Sequence, residues 1–278
     1  MKKHFVLSAL LMCCTYLQAQ YYFNDIVSLK SNENYFEKLM AQQIRLVSVK
    51  AYETDNTEAS DFYLKQEVNP LKKTLTTSSK SSSSDASILE TTFDAQGRIQ
   101  QVFDSSQGGS NYINYRYNAS NQLVEMKSRA LEQAQQQNIV NERREYFYNE
   151  KGMPEKMIRI NGSKDTMVVE FIASQNQQPG EEQWWKNGMK IETWFYYYDD
   201  ANRLTDIVRY NQAVKKMLPD YLFGYDDEGM LTSKIAVQPV TGSFRIWQYQ
   251  YNVQGLKIKE TVMNKERQPE GKLLYTYQ

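Results

Sequence analysis

The stretch "YYYDDANRLTDIVRY", residues 196–210, runs three tyrosines into two adjacent carboxylates and then into alternating apolar and polar residues. Taken alone, Asp199 and Asp200 suggest an acid/base pair or a cation site. The rest of the chain argues otherwise, because the pattern recurs. An aromatic, any residue, a second aromatic, Asp or Asn, two residues and then Gly or Asn occur as "TTFDAQG" from Thr91, where Thr replaces the first aromatic. Further copies are "YRYNASN" from Tyr115, "YFYNEKG" from Tyr146, "YYYDDAN" from Tyr196, "FGYDDEG" from Phe223 and "YQYNVQG" from Tyr249. The chain ends inside another, "YTYQ". The second aromatics, Phe93, Tyr117, Tyr148, Tyr198, Tyr225, Tyr251 and Tyr277, are 24, 31, 50, 27, 26 and 26 residues apart. The long interval is expected to hold a degenerate copy at "MVVEFIA" around Phe171. Recurrence on this scale marks a repeat architecture.

Each copy carries the chemistry of a hairpin turn. Asp94, Asn118, Asn149, Asp199, Asp226 and Asn252 hold the first position, where a short side chain bonds the backbone two residues on. Gly97, Asn121, Gly152, Asn202, Gly229 and Gly255 hold the fourth, which tolerates a positive φ. Three of the six first positions are Asn, which neither acts as a base nor replaces a charged ligand. Asp199 is therefore read as a turn residue, and so is Asp226. The cluster Asp226-Asp227-Glu228 lacks the ligand spacing of a calcium loop, so no metal site is expected, and no cofactor.

Two aromatics two residues apart share one face of a strand. Returning strands follow each turn in "GRIQQVF", "NQLVEM", "NRLTDIV", "GMLTSKI" and "GLKIKETV". The expected fold is mainly β: an antiparallel meander of repeated hairpins of about 14 to 16 strands, an open sheet long enough to curl or spiral. Ahead of it, "NENYFEKLMAQQI" from Asn32 has helical spacing behind an Asn cap, and "IRLVSVKAY" and "FYLKQEV" read as strands. This helix and hairpin, residues 20–76, are expected to cap the open sheet edge. Residues 77–87, rich in serine, read as a loop or linker, and 88–278 as the repeat region.

The copies resemble the tyrosine-aspartate (YD, or RHS-type) repeats of secreted bacterial proteins and animal teneurins. The matching stretches "FDAQGRI", "YNASNQL", "YNEKGMP", "YDDANRL", "YDDEGML" and "YNVQGLK" lie within Thr91 to Gln278. In that family many repeats spiral into a hollow β-shell around a toxin or form an adhesion module. This chain has fewer repeats and neither a toxin domain nor the family's self-cleaving segment. The head, "YYFNDIVSLK…ENYFEKLMAQQI", is similar to small exported repeat proteins of Gram-negative bacteria without assigned activity. The resemblance implies an exported β-repeat protein that binds or scaffolds.

The N-terminus has the layout of a secretory signal peptide over residues 1–19: Lys2 and Lys3, an apolar run from Phe5 to Cys14, and a cleavage site at "LQAQ" after Ala19. A lipid anchor at Cys14 is disfavoured, because such signals want a small residue before the cysteine and Cys13 stands there. The apolar run is too short to span a bilayer as a helix, so no transmembrane segment is expected in the mature chain. Its destination is then the periplasm, the cell surface or the medium. The one His (His4) and both Cys (Cys13, Cys14) belong to the leader. A chain starting at Gln20 has neither, which excludes a disulfide, Cys/His metal ligation, a Cys nucleophile and a Ser-His-Asp triad. Lys+Arg and Asp+Glu are equal at 33 each, with no basic run for nucleic acid.

The leading functional reading is a non-enzymatic binding or scaffolding module with a protein or glycan partner at the cell envelope. The alternative is glycan binding on exposed aromatic faces, with Trp184, Trp185 and Trp194 in "EEQWWKNGMKIETW" as the platform. Adjacent Trp184 and Trp185 must point to opposite faces of a strand, so only one of them is available. A glycosidase with carboxylates from Glu181, Glu182 and Glu192 is the third reading. No catalytic motif surrounds these acids, and no catalytic residue is assigned.

Overall fold

The computed structural model describes residues 20–81, 84–106, 109–131, 138–212, 214–238 and 242–278. The proposed leader, with His4, Cys13 and Cys14, lies outside the described residues. A π-helical turn, Tyr22–Val27, leads directly into α1 (Ser28–Ala41). Helix therefore begins ten residues before the expected Asn32 cap. Then come β1 (Leu46–Tyr52), β2 (Tyr63–Asn69), β3 (Thr74–Ser81), β4 (Ser84–Phe93), β5 (Ile99–Ser106) and β6 (Gly109–Tyr117). Next are β7 (Leu123–Leu131), β8 (Asn138–Tyr148), β9 (Pro154–Asn161), β10 (Thr166–Ala173), β11 (Pro179–Lys186) and β12 (Met189–Tyr198). The last are β13 (Leu204–Asn211), β14 (Lys216–Tyr225), β15 (Leu231–Val237), β16 (Phe244–Tyr251), β17 (Lys257–Met263) and β18 (Pro269–Tyr277).

Every strand pairs antiparallel with its sequence neighbours. β18 also pairs with β1, from Val47↔Tyr277 to Tyr52↔Lys272. The eighteen strands thus close into a barrel, and the expectation of an open, curved or spiral sheet is overturned. Closure joins a strand outside the repeats, β1, to the strand that carries the last copy, β18. β1 is a plain alternating strand, and the Gln278 backbone exchanges hydrogen bonds with Leu46. With no free edge there is nothing for the helix to cap.

The helical segment instead occupies the lumen. Phe36 stacks on Phe93 of β4 at 3.7 Å, Phe23 packs on Tyr221 and Phe223 of β14, and Tyr22 meets Tyr196 of β12 edge-on. The Tyr35 hydroxyl bonds Gln66 of β2, and Lys38 reaches the carbonyl of Gly255 between β16 and β17. Contacts from strands all around the wall to one helix place that helix inside the barrel. Leu39, Val47, Met157, Val169, Ile207 and Leu273 are fully buried around it.

The recurrent motif builds one mouth of this barrel. The Asp199 N–H donates to the Arg203 carbonyl, and the Asn202 N–H donates back to the Asp199 carbonyl, with Asn202 at φ 61°. Asp199 Oδ1 accepts from the N–H groups of Ala201 and Arg203. The same pair of backbone bonds closes the turns at Asp94, Asn118, Asn149, Asp226 and Asn252. It also closes Ser174–Gln178, the degenerate copy after "MVVEFIA". A register shift precedes each motif turn, as at Tyr197/Tyr198 and Gly224/Tyr225. Of the serine-rich residues 77–87 expected to be a loop, the described ones, 77–81 and 84–87, lie in paired strands: Thr77 faces Leu89, Ser79 faces Ser87, and the hydroxyls of that last pair lie 2.9 Å apart. Serine hydroxyls satisfied across a ladder are compatible with strand, which composition alone hides.

The second tyrosine of the motif has a role the sequence did not disclose. Its hydroxyl donates to a backbone carbonyl at the start of the preceding strand: Tyr117 to Ile99, Tyr148 to Leu123, Tyr198 to Pro179, Tyr225 to Leu204, Tyr251 to Leu231 and Tyr277 to Lys257, all at 2.6–2.8 Å. Each tyrosine ties one hairpin to the strand start of the preceding one, beside its register shift. Removing one hydroxyl while keeping the ring isolates this bond, so Tyr225→Phe is expected to lower stability by about 1 kcal/mol. Urea unfolding should show a lower midpoint with an unchanged slope.

Candidate functional site

A helix that starts inside a barrel brings unsatisfied backbone N–H groups with it. The wall supplies their acceptor. Glu182 of β11 is fully buried, and its two oxygens accept from the N–H groups of Tyr21 and Tyr22 at 2.9 Å. The Trp184 indole and the Tyr196 hydroxyl complete the set at 2.7 Å. A carboxylate at a helix start also meets the positive end of the helix dipole. Burial still dominates and lifts the Glu182 carboxyl above its ordinary value near 4.5, against the pull of those hydrogen bonds.

Further acids anchor the rest of the plug. Asp25, on the π-helical turn, is held by Arg144 at 2.7 Å and by the Tyr146 hydroxyl. Arg144 in turn binds Glu142, which also binds Arg159, so an alternating chain of charges joins plug to wall. Glu33 of α1 accepts from the Ile99 N–H at 3.1 Å and shares the Tyr117 hydroxyl proton, also at 3.1 Å, with the nearer Ile99 carbonyl. Asp220 of β14 accepts from the Gln20 amide, the Trp194 indole and Arg209. Glu260 of β17 takes Lys257 and Tyr275. Burial pushes the Tyr21 hydroxyl up to about 12 and raises Tyr146 and Tyr196 well beyond their usual range. These phenols therefore stay protonated.

Trp184 and Trp194 belong to this interior. Trp184 stacks on Tyr21 at 4.8 Å and leans on Trp194 at 4.6 Å, and Trp194 is 2% exposed. Trp185 points to the other side of the wall, with Lys190 above its ring. The structure thus brings together two of the three tryptophans read as a glycan platform, and it does so against the plug. Glu181 lies on the opposite face from Glu182 and accepts from Gln183, while Glu192 faces Arg209. The acidic turn residues sit at the barrel mouth. There Arg203 binds the Asp199 carboxylate and reaches on to the Asp226 carbonyl, linking one turn to the next. The Arg203 backbone N–H, together with its guanidinium, holds the Asp199 carboxyl below its ordinary range despite some desolvation.

The outer wall presents a different chemistry. Tyr115, Met126 and Arg144 face the plug, so their chain neighbours Asn114, Lys127 and Arg143 face outward. One cross-strand row on this outer face runs Gln101, Asn114, Lys127, Arg143, Ile160 over β5 to β9. It lines a groove of about 720 Å³ together with Tyr112 and Arg129. Beside it Glu125 is ringed by Arg116, Lys127 and Arg143. Neither the buried anchors nor this row was found by sequence reasoning. The available signal was acids at inward positions of alternating strands, as in Glu181-Glu182, where one of the two has to turn inward.

No protein-family model matches the chain, and no characterised protein matches it in sequence. Among solved structures, a porin-like protein from Bacteroides uniformis is 8% identical with a TM-score of 0.42, over 84% of this chain and 98% of that one. A porin-like protein from Bacteroides vulgatus is 8% identical with a TM-score of 0.31, over the same shares. TcdB2-TccC3-TEV is 13% identical with a TM-score of 0.34, over 78% of this chain and 12% of that one. At these values the likenesses carry no functional argument.

Two measurements test the anchors. An acid whose folded pKa is raised retains a proton that the unfolded chain has lost, so it loses stabilising effect as pH rises from the unfolded value through the folded one. The stability of the wild type relative to Glu182→Gln should therefore fall as pH climbs out of the ordinary glutamate range, then level off. Asp25→Ala strips a buried arginine of one partner and is expected to cost about 3–5 kcal/mol in urea unfolding.

Proposed function

We propose that this chain is an exported, non-enzymatic plugged barrel that works as a binding or scaffolding module at the cell envelope, through its outer wall. The observation that carries the reading is the division of labour between the two faces. The lumen acids Glu182, Asp25, Glu33 and Asp220 are each taken up by donors that hold the plug or the wall around it. An acid saturated by structural donors is a poor general base. Outward positions, in contrast, carry solvated charge in mid-strand, including Lys50, Glu90, Lys127, Arg143 and Glu170. Against lipid, each Lys or Arg near the bilayer midplane would cost about 2–4 kcal/mol. A wall of this kind suits water and polar partners. Among the described residues no helix is long and apolar enough to cross a membrane.

Fractionation of an expressing Gram-negative host tests the reading. The protein is expected in the envelope without need of detergent, and chemical cross-linking there should capture a discrete partner or polysaccharide. Extraction only by detergent, with ion conductance in planar bilayers, would replace this reading with that of a pore.

A further inference from the structure

We propose that the outer groove over β5 to β9 is a binding site for an acidic polysaccharide, one whose sugars carry carboxylates. This rests on the reading of the wall as the working surface and names its ligand class. The groove follows a single row of side chains across five consecutive strands, so it is a continuous track. Lys127, Arg129 and Arg143 line it. The one carboxylate among the lining residues, Glu142, faces the lumen, where Arg144 and Arg159 hold it. Lys127 and Arg143 share Glu125, and Arg143 also touches Glu145, which fixes these two cations in place. Arg129 is exposed and rests over the Tyr112 ring at 5.6 Å, while Phe103 packs on the same ring at 4.7 Å. That arrangement props a guanidinium outward with its fork available, the geometry that suits a carboxylate.

Next to these cations, the Gln101 and Asn114 amides are hydrogen-bonded to each other at 2.8 Å and retain further donors and acceptors. Cations beside an amide pair match the alternating carboxylates and hydroxyls of a uronic-acid chain. Two other polyanions fit less well. Single-stranded nucleic acid needs free aromatic faces for its bases, and Tyr112 is already engaged by Arg129 and Phe103. A peptide that binds by adding a strand needs a sheet edge, and the groove lies on a sheet face of a closed barrel.

Calorimetric titration of the full chain with a galacturonate oligosaccharide tests the assignment. Neutral malto-oligosaccharide, oligoglutamate and oligothymidylate serve as comparisons. Galacturonate alone is expected to bind, more weakly in added salt. Arg129→Ala and Asn114→Ala should each weaken it, the arginine change by about tenfold or more. Lys50→Ala, on distant β1, should leave both affinity and far-ultraviolet dichroism unchanged. Absence of galacturonate binding, equal binding of oligoglutamate or oligothymidylate, or an Arg129→Ala protein that binds as well as wild type would each overturn the site. A partner captured in the envelope by cross-linking despite such a result would leave the binding-module reading standing and remove only this ligand.

Discussion

The structure depends on one carboxylate that has no ionic partner among the described residues. Glu182 accepts the first N–H groups of the plug, an indole and a phenol, in a place water does not reach. Hydrogen bonds alone offset its desolvation, and they do so only when helix, β11 and β12 are all in place. A buried polar network of this kind gives little net stability but discriminates sharply among arrangements, since a half-satisfied version is costly. It therefore fixes where the helix enters. The chain Asp25–Arg144–Glu142–Arg159 fixes its rotation, and Glu33 fixes its depth.

Barrel width explains the composition. Eighteen strands about 4.8 Å apart, tilted by about 35–45° as barrel strands are, would make a round barrel roughly 34–39 Å across from backbone to backbone. A helix with its side chains spans only about 10–12 Å. The remaining distance has to be bridged from the wall by side chains that are long and carry polar ends, because leucine would stop short. Tyrosine, tryptophan and arginine reach that far and end in donors, and the acids accept from them. Inward tyrosines such as Tyr146 and Tyr196 are thus the material of a wide, filled barrel, and the second tyrosines of the motif supply the hydroxyl bonds that tie its hairpins together.

Local features were the legible ones. The turns at Asp94, Asn118, Asn149, Asp199, Asp226 and Asn252 follow from side-chain chemistry acting over four residues, and β1 and β2 follow from alternation. Closure was not legible, because Val47↔Tyr277 joins the two ends of the chain and neither residue carries a sign of the other. The plug was hidden for a related reason: an amphipathic helix reads the same whether it covers a sheet edge or fills a lumen. Trp184 and Trp194 show the limit at the level of a site. The adjacency of Trp184 and Trp185 reveals that only one of those two faces inward, and only the presence of Tyr21 on that side decides what Trp184 and Trp194 meet.

The plug also acts as a gauge of repeat number. A hairpin contributes two strands, so gaining or losing one keeps the count even and leaves antiparallel closure possible. It would nevertheless alter the girth by about 10 Å, while the tyrosine bonds between neighbouring hairpins would re-form unchanged. Glu182, Arg144, Ile99 and Asp220 would then stand at the wrong distance from a helix of fixed size. The contacts of the non-repetitive segment are thus matched to one copy number of the repetitive one.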